Sequence, residues 1–136
     1  MQTILVVDDD VWVRGLARDL LAGEGYRVLE AADGQDAIRV AAEHPGPIHL
    51  LLTDVMMPGM NGCELAAGLT NLMPGLKVMF MSAYDRDFLV ARGLQPCGPV
   101  ITKPFTLEYL SRRVRMVLGE QRAPAIASPR PFARAR

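Results

Sequence analysis

The chain reads as an α/β protein: a doubly wound, five-stranded parallel sheet with helices on both faces. Three observations predict this. Five short apolar runs alternate with five segments of helical character in the first 119 residues. Gly and Pro punctuate the junctions, as in Pro45-Gly46-Pro47, Pro58-Gly59 and Pro74-Gly75. Most of the apolar runs end in a reactive polar residue. Strand–helix units in series give parallel strands joined by right-handed crossovers, and ligands then gather at the carboxyl ends of the strands.

The elements follow in order. Residues 3–7 form a buried strand that runs into Asp8-Asp9-Asp10. Asp10 suits a helix N-cap. Val11, Leu16, Leu20 and Leu21 then recur near helical spacing, and Gly23 and Gly25 end the helix. Residues 27–31 are a second strand, less apolar and so expected at an edge. Asp33-Gly34 turns into a helix over 35–43, stopped by the proline cluster. A third strand, 48–53, ends at Asp54. A helix over 62–72 follows, then a fourth strand, 77–81, ending at Ser82. Residues 86–93 are a short helix. Val100-Ile101 is a brief fifth strand ending at Thr102-Lys103. Thr106 caps a last helix with Leu107, Leu110, Val114, Val117 and Leu118 as its apolar stripe.

Composition narrows the function classes. Half of the 136 residues are hydrophobic, enough for a core. The expected division is one domain, 1–119, and a disordered Pro/Ala/Arg-rich tail, 120–136. Residues 122–136 carry four arginines and no acid, which leaves the body with 15 acids against 11 bases. That balance speaks against nucleic-acid binding by the body. No signal peptide and no run of membrane-spanning length is visible, so a cytoplasmic protein is expected. Cys63 and Cys97 follow no metal or disulfide spacing and read as two ordinary thiols in a reducing compartment.

The chemistry lies at the strand ends: Asp8, Asp9, Asp54, Ser82 and Lys103. Like charges about 4 Å apart repel by roughly 4 kcal/mol at an effective dielectric of 20. A cation or a proton must offset that. Three carboxylates suit a hard divalent ion, Mg²⁺ foremost, which takes oxygen ligands. An ionised Asp54 is a competent nucleophile toward phosphorus. Lys103 and the metal would neutralise a transferring phosphoryl group, and the Ser82 hydroxyl would donate to one of its oxygens.

Over residues 1–119 the chain resembles the receiver domains of two-component response regulators. The motifs that carry the resemblance are Val7-Asp8-Asp9, the stretch Asp54-Val55-Met56-Met57-Pro58-Gly59-Met60-Asn61-Gly62, Met81-Ser82-Ala83 and Lys103-Pro104-Phe105. The resemblance implies a flavodoxin-like sheet of order 2-1-3-4-5. It makes Asp54 the phosphoacceptor and Asp9 a direct metal ligand, with Asp8 beside it or acting through water. It assigns the backbone carbonyl of Met56 to the same Mg²⁺, Ser82 to the family's hydroxyl position and Lys103 to its lysine. Lys103-Pro104 is expected to be cis. The implied donor is a histidine kinase or a histidine phosphotransfer protein. The implied output face is the fourth helix, fifth strand and fifth helix. No DNA-binding module follows the receiver, so output by protein contact is expected, without membrane or direct DNA binding.

Two departures from the family pattern stand out. The aromatic residue that many receivers carry three positions before the lysine is Val100 here, and Tyr84 is either a substitute for it or a surface aromatic. The run Leu94-Gln95-Pro96-Cys97-Gly98-Pro99 is rich in breakers and shortens the elements around it. The methionines read as packing residues, His44 and His49 as exposed or flanking, and Trp12 as partly exposed near the site. Arg112, Arg113 and Arg115 read as the solvated face of the last helix. Three rival readings stand beside this one. A receiver module excised from a hybrid histidine kinase is the first. A haloacid-dehalogenase-type phosphohydrolase ranks lower, because the second Asp it needs two residues after the nucleophile is Met56. A receiver-like scaffold that never takes phosphate would be expected to show a degraded pocket.

Overall fold

The computed structural model describes residues 1–119; the expected tail lies outside the described residues. Its elements are β1 (Thr3–Val7), α1 (Val11–Gly23), β2 (Arg27–Ala31), α2 (Gly34–Glu43), β3 (Leu50–Asp54), α3 (Gly62–Leu72), β4 (Lys77–Ser82), α4 (Arg86–Ala91), β5 (Val100–Thr102) and α5 (Leu107–Leu118). The strands form one parallel sheet in the order β2-β1-β3-β4-β5. The central strands β1 and β3 are buried along their whole length, whereas β2, at an edge, is exposed at Arg27. This is why β1 and β3 carry unbroken apolar runs, residues 4–7 and 50–52, and β2 is mixed.

Two apolar clusters flank the sheet. Leu5, Val7, Leu51, Val78 and Phe80 pack against Ala37, Leu65, Leu69 and Leu89 of α2, α3 and α4. Ile4, Val6, Leu50, Leu52, Met79 and Met81 pack against Ala17 and Leu21 of α1 and Leu110 and Val114 of α5. Alternation along each strand divides its side chains between the two clusters.

Local chemistry sets the helix starts. The Asp10 carboxylate accepts the backbone N–H of Trp12 at 2.9 Å and of Val13 at 3.4 Å. Asn61 and Glu64 close a reciprocal capping box on α3. Asp33, Asp85 and Thr106 cap α2, α4 and α5. Gly119 ends α5 at φ 71°, a left-handed turn open to glycine.

Several sequence expectations shift. The third strand begins at Leu50 rather than 48 and takes in Asp54; the fourth takes in Ser82 and the fifth Thr102. Helix α4 stops at Ala91, because Gly93 turns the chain at φ 82°. The buried face of α1 is Ala17 and Leu21, with Val11 and Leu16 exposed. Leu107 is exposed as well, since the stripe of α5 enters the core only from Leu110. Trp12 is 85 % exposed. His49 does more than flank: its Nδ1 accepts the Thr3 N–H at 2.9 Å, pinning the start of β1. Arg115 is not simply solvated, for it binds Ser111 and lies 3.4 Å from Glu24, joining α5 to the end of α1. Among the described residues, no helix is long and apolar enough to cross a membrane.

Candidate functional site

The predicted residues converge at the carboxyl edge of the sheet. Asp8 follows β1 directly and is fully buried. Its Oδ1 accepts the Asp10 N–H at 2.9 Å, and its Oδ2 lies 2.8 Å from Lys103 Nζ. Asp54 closes β3 in register with Met81 of β4, and its Oδ1 lies 3.4 Å from the same Nζ. Lys103 reaches both carboxylates because its backbone N–H is tied to the Ser82 carbonyl at 2.8 Å. The Lys103–Pro104 peptide is cis. Asp9 is exposed at the rim.

Asp8, Asp9 and Asp54 each offer an oxygen, all within 4.8 Å of one another, so the three form an acidic cluster able to hold a metal ion. Ser82 is buried, and its Oγ accepts the Tyr84 N–H at 3.0 Å. Met56 sits two residues past Asp54 and is exposed.

Electrostatics favour an added positive charge. Burial first, and then the Asp8 charge, push Asp54 up to about 6; Lys103 opposes this only in part. Burial also works against the Lys103 ammonium, but the hydrogen bond to Asp8 and the charges of Asp54 and Asp8 outweigh it and raise its pKa. One ammonium among three carboxylates leaves an excess of negative charge. Oxygen-only donors with that excess fit a hard divalent cation.

A pH dependence follows for metal-free protein. A carboxyl whose pKa rises from 3.8 unfolded to about 6 folded binds its proton more tightly in the native state. Stability from Asp54 is therefore highest at the acid end of that window and falls as pH rises through it, by about 2 kcal/mol. Urea denaturation of chelator-treated protein across the window checks this, with Asp54→Asn lacking the slope.

Some functional contacts had no linear signature. Arg14 donates from Nη1 to the Asp8 carbonyl at 2.7 Å and pairs with Glu30 at 3.4 Å. The Thr53 hydroxyl donates to the Asp54 carbonyl at 2.9 Å, and the Gly62 N–H to the Val55 carbonyl at 2.7 Å. These brace the Asp54 end of β3 from both sides. Tyr84 stacks on Phe88 at 4.1 Å between ring centroids, and the Arg92 guanidinium covers Phe88 at 4.4 Å. A chain of contacts thus runs from the Ser82 hydroxyl to α4.

Comparison with known proteins agrees with this geometry. Residues 4–115 match the model for the response regulator receiver domain. An uncharacterised transcriptional regulatory protein of Bacillus subtilis, YbdJ, is 36 % identical over 115 residues, covering 85 % of this chain. This chain spans 50 % of YbdJ's length. The crystal structure of the receiver domain from the hybrid histidine kinase CckA is 37 % identical, with a TM-score of 0.72 over 85 % of this chain and 98 % of that one. The response regulator TrrA of Thermotoga maritima, solved in complex with Mg²⁺ and BeF, is 28 % identical, with a TM-score of 0.71 over 86 % of this chain and 99 % of that one. Motifs, strand order and acidic strand tips agree with the family match, and the chain belongs to the response regulator receiver domain family of two-component signalling.

Proposed function

We propose that this receiver takes a phosphoryl group from a phosphohistidine of a histidine kinase or phosphotransfer protein onto Asp54, in a Mg²⁺-dependent phosphorelay. The observation that carries the reading is the Asp54 carboxylate, 10 % exposed, beside Asp8 and Asp9 and 3.4 Å from the Lys103 ammonium. Asp9, Asp54 and the Met56 carbonyl would hold Mg²⁺, with Asp8 beside them or through water. The ion would supply positive charge against the phosphoryl oxygens.

The chain's own residues do the rest. An Asp54 oxygen forms the new bond to phosphorus as the bond to the donor imidazole nitrogen breaks, and the electron pair leaves on that nitrogen. Lys103, anchored by Asp8, faces the added charge. Ser82 can donate its proton to a phosphoryl oxygen while still accepting the Tyr84 N–H. A pull on Ser82 then reaches α4 through the Tyr84–Phe88 stack, which supports output through the face of α4, β5 and α5 to a protein target. The protein acts as a signalling acceptor rather than a turnover enzyme. Likeness to the CckA receiver favours a second reading, a receiver module of a hybrid histidine kinase.

Incubation with Mg²⁺ and a small acyl phosphate, followed by intact mass measurement, is expected to add one base-labile phosphoryl group. An unchanged mass, both with that donor and with competent kinases, defeats the reading. Chelation should abolish uptake. Lys103→Ala should keep the fold yet slow uptake by about tenfold or more, because one charge-assisted contact to the transferring group is lost. Wild-type uptake rates in that variant would remove Lys103 from the mechanism.

A further inference from the structure

Arg14 stands where helix stability does not ask for a cation. It is the fourth residue of α1, close to the positive end of the helix dipole. Its side chain, 17 % exposed, leans back toward the helix start, as helical side chains do. There its Nη1 donates to the Asp8 carbonyl at 2.7 Å, and its Nε lies 3.4 Å from Glu30 Oε1 on β2. The other Glu30 oxygen accepts from Arg18 Nη1 at 3.0 Å, so that carboxylate is held from two sides.

The Asp8 carbonyl lies where the sheet runs out. The register of β1 with β2 and with β3 ends at Val7. One step on, the Asp8 N–H still reaches the Ala31 carbonyl at 3.3 Å, but the Asp8 carbonyl takes a guanidinium in place of a strand. Asp8 is fully buried, and a buried carbonyl needs such a donor. That carbonyl belongs to the peptide joining Asp8 to Asp9. The peptide is planar, so holding its oxygen fixes the plane that carries the Asp9 Cα. Asp8 has further restraints, the Asp10 N–H on Oδ1 and Lys103 beside Oδ2. Asp9 is exposed, yet one of its carboxylate oxygens comes within 4.8 Å of those of Asp8 and Asp54.

We infer that Arg14 is a positioning residue for the cation site: seated on Glu30, it fixes the Asp8–Asp9 peptide and thereby sets where the Asp9 carboxylate stands. The inference rests on the reading of Asp9 and Asp54 as Mg²⁺ ligands. It carries a sign that charge alone would reverse. A guanidinium repels a divalent cation, so if Arg14 acted only through its field, removing it would tighten Mg²⁺ binding. Acting by position, its removal weakens binding by about tenfold or more, as loss of a partner behind a metal ligand does.

The test is a calorimetric titration of the purified, unphosphorylated full chain with Mg²⁺ alone. Arg14→Gln should bind about tenfold more weakly than the wild type. Arg14→Lys keeps the charge but loses the fork that spans Asp8 and Glu30, and should fall between the two. Arg18→Gln removes a like charge one turn further along α1; that charge is exposed and screened, so affinity should stay within about twofold of wild type. Phosphoryl uptake from a small acyl phosphate should split in the same way. In Arg14→Gln the Mg²⁺ concentration for half-maximal rate should rise, while the rate at saturating Mg²⁺ stays within about threefold of wild type. Unchanged or tighter Mg²⁺ binding by Arg14→Gln would overturn the inference. If urea denaturation shows that variant unfolded, Arg14→Lys decides, and wild-type affinity there overturns it. A wild type that binds no Mg²⁺ removes the cation site and this inference together, whereas one that binds Mg²⁺ without taking up phosphoryl removes the acceptor reading alone.

Discussion

Asp54→Asn is expected to take up no phosphoryl group from any donor while folding at least as well as the wild type. The amide keeps the shape of the carboxylate and removes the nucleophilic oxygen. Its stability effect has a definite sign. At neutral pH the folded protein holds an ionised Asp54 whose pKa is pushed up to about 6 by burial and by Asp8, so ionisation is unfavourable in the native state. Removing that charge from metal-free protein should stabilise it by about 3 kcal/mol. Lys103 keeps its 2.8 Å partner, Asp8. Loss of uptake together with a raised midpoint in urea would thus separate chemistry from folding. Wild-type uptake in this variant would move the acceptor to another carboxylate.

Gly62→Ala is expected to be the most damaging small substitution at the site. A Cβ there would sit 2.1 Å from the Asp54 carbonyl oxygen and 3.0 Å from both the Asp54 carbonyl carbon and the Val55 Cα. All three are backbone atoms at the end of β3, so no side chain can swing away. Either α3 lifts off or Asp54 shifts, and both cost stability: about 3 kcal/mol, at the upper end for overpacking. Uptake should fall with it, because Asp54 and Lys103 separate. Gly68→Ala in the same helix is the control. Nothing lies within 4 Å of its added Cβ, and it should stabilise α3 by about 0.5–1 kcal/mol. Urea denaturation and intact mass on both variants decide the matter; equal behaviour of the two would refute the close approach of α3 to β3.

The site was legible in the sequence because its residues sit at the ends of recognisable strands. Asp8, Asp54, Ser82 and Lys103 each follow or close an apolar run, and a parallel sheet must bring such ends to one edge. Capping was readable at Asp10 and Thr106, since an N-cap acts over two or three residues and each needed only its neighbours. Apolar spacing failed at Val11, Leu16 and Leu107. A helix has more apolar residues than its neighbours can cover, and only the packed sheet selects which of them are buried.

By itself, then, the sequence determined the α/β class, the order of elements, the capped starts of the first and last helices and the identity of the polar strand tips. All of these depend on local periodicity and on backbone groups a few residues apart. Tertiary structure alone decided that Arg14 would hold the Asp8 carbonyl, that Gly62 would press on the Asp54 backbone and that Tyr84 would stack on α4. These contacts depend on how helices seat on the sheet, to within an ångström or so. Close packing fixes that distance, and no one-dimensional pattern encodes it.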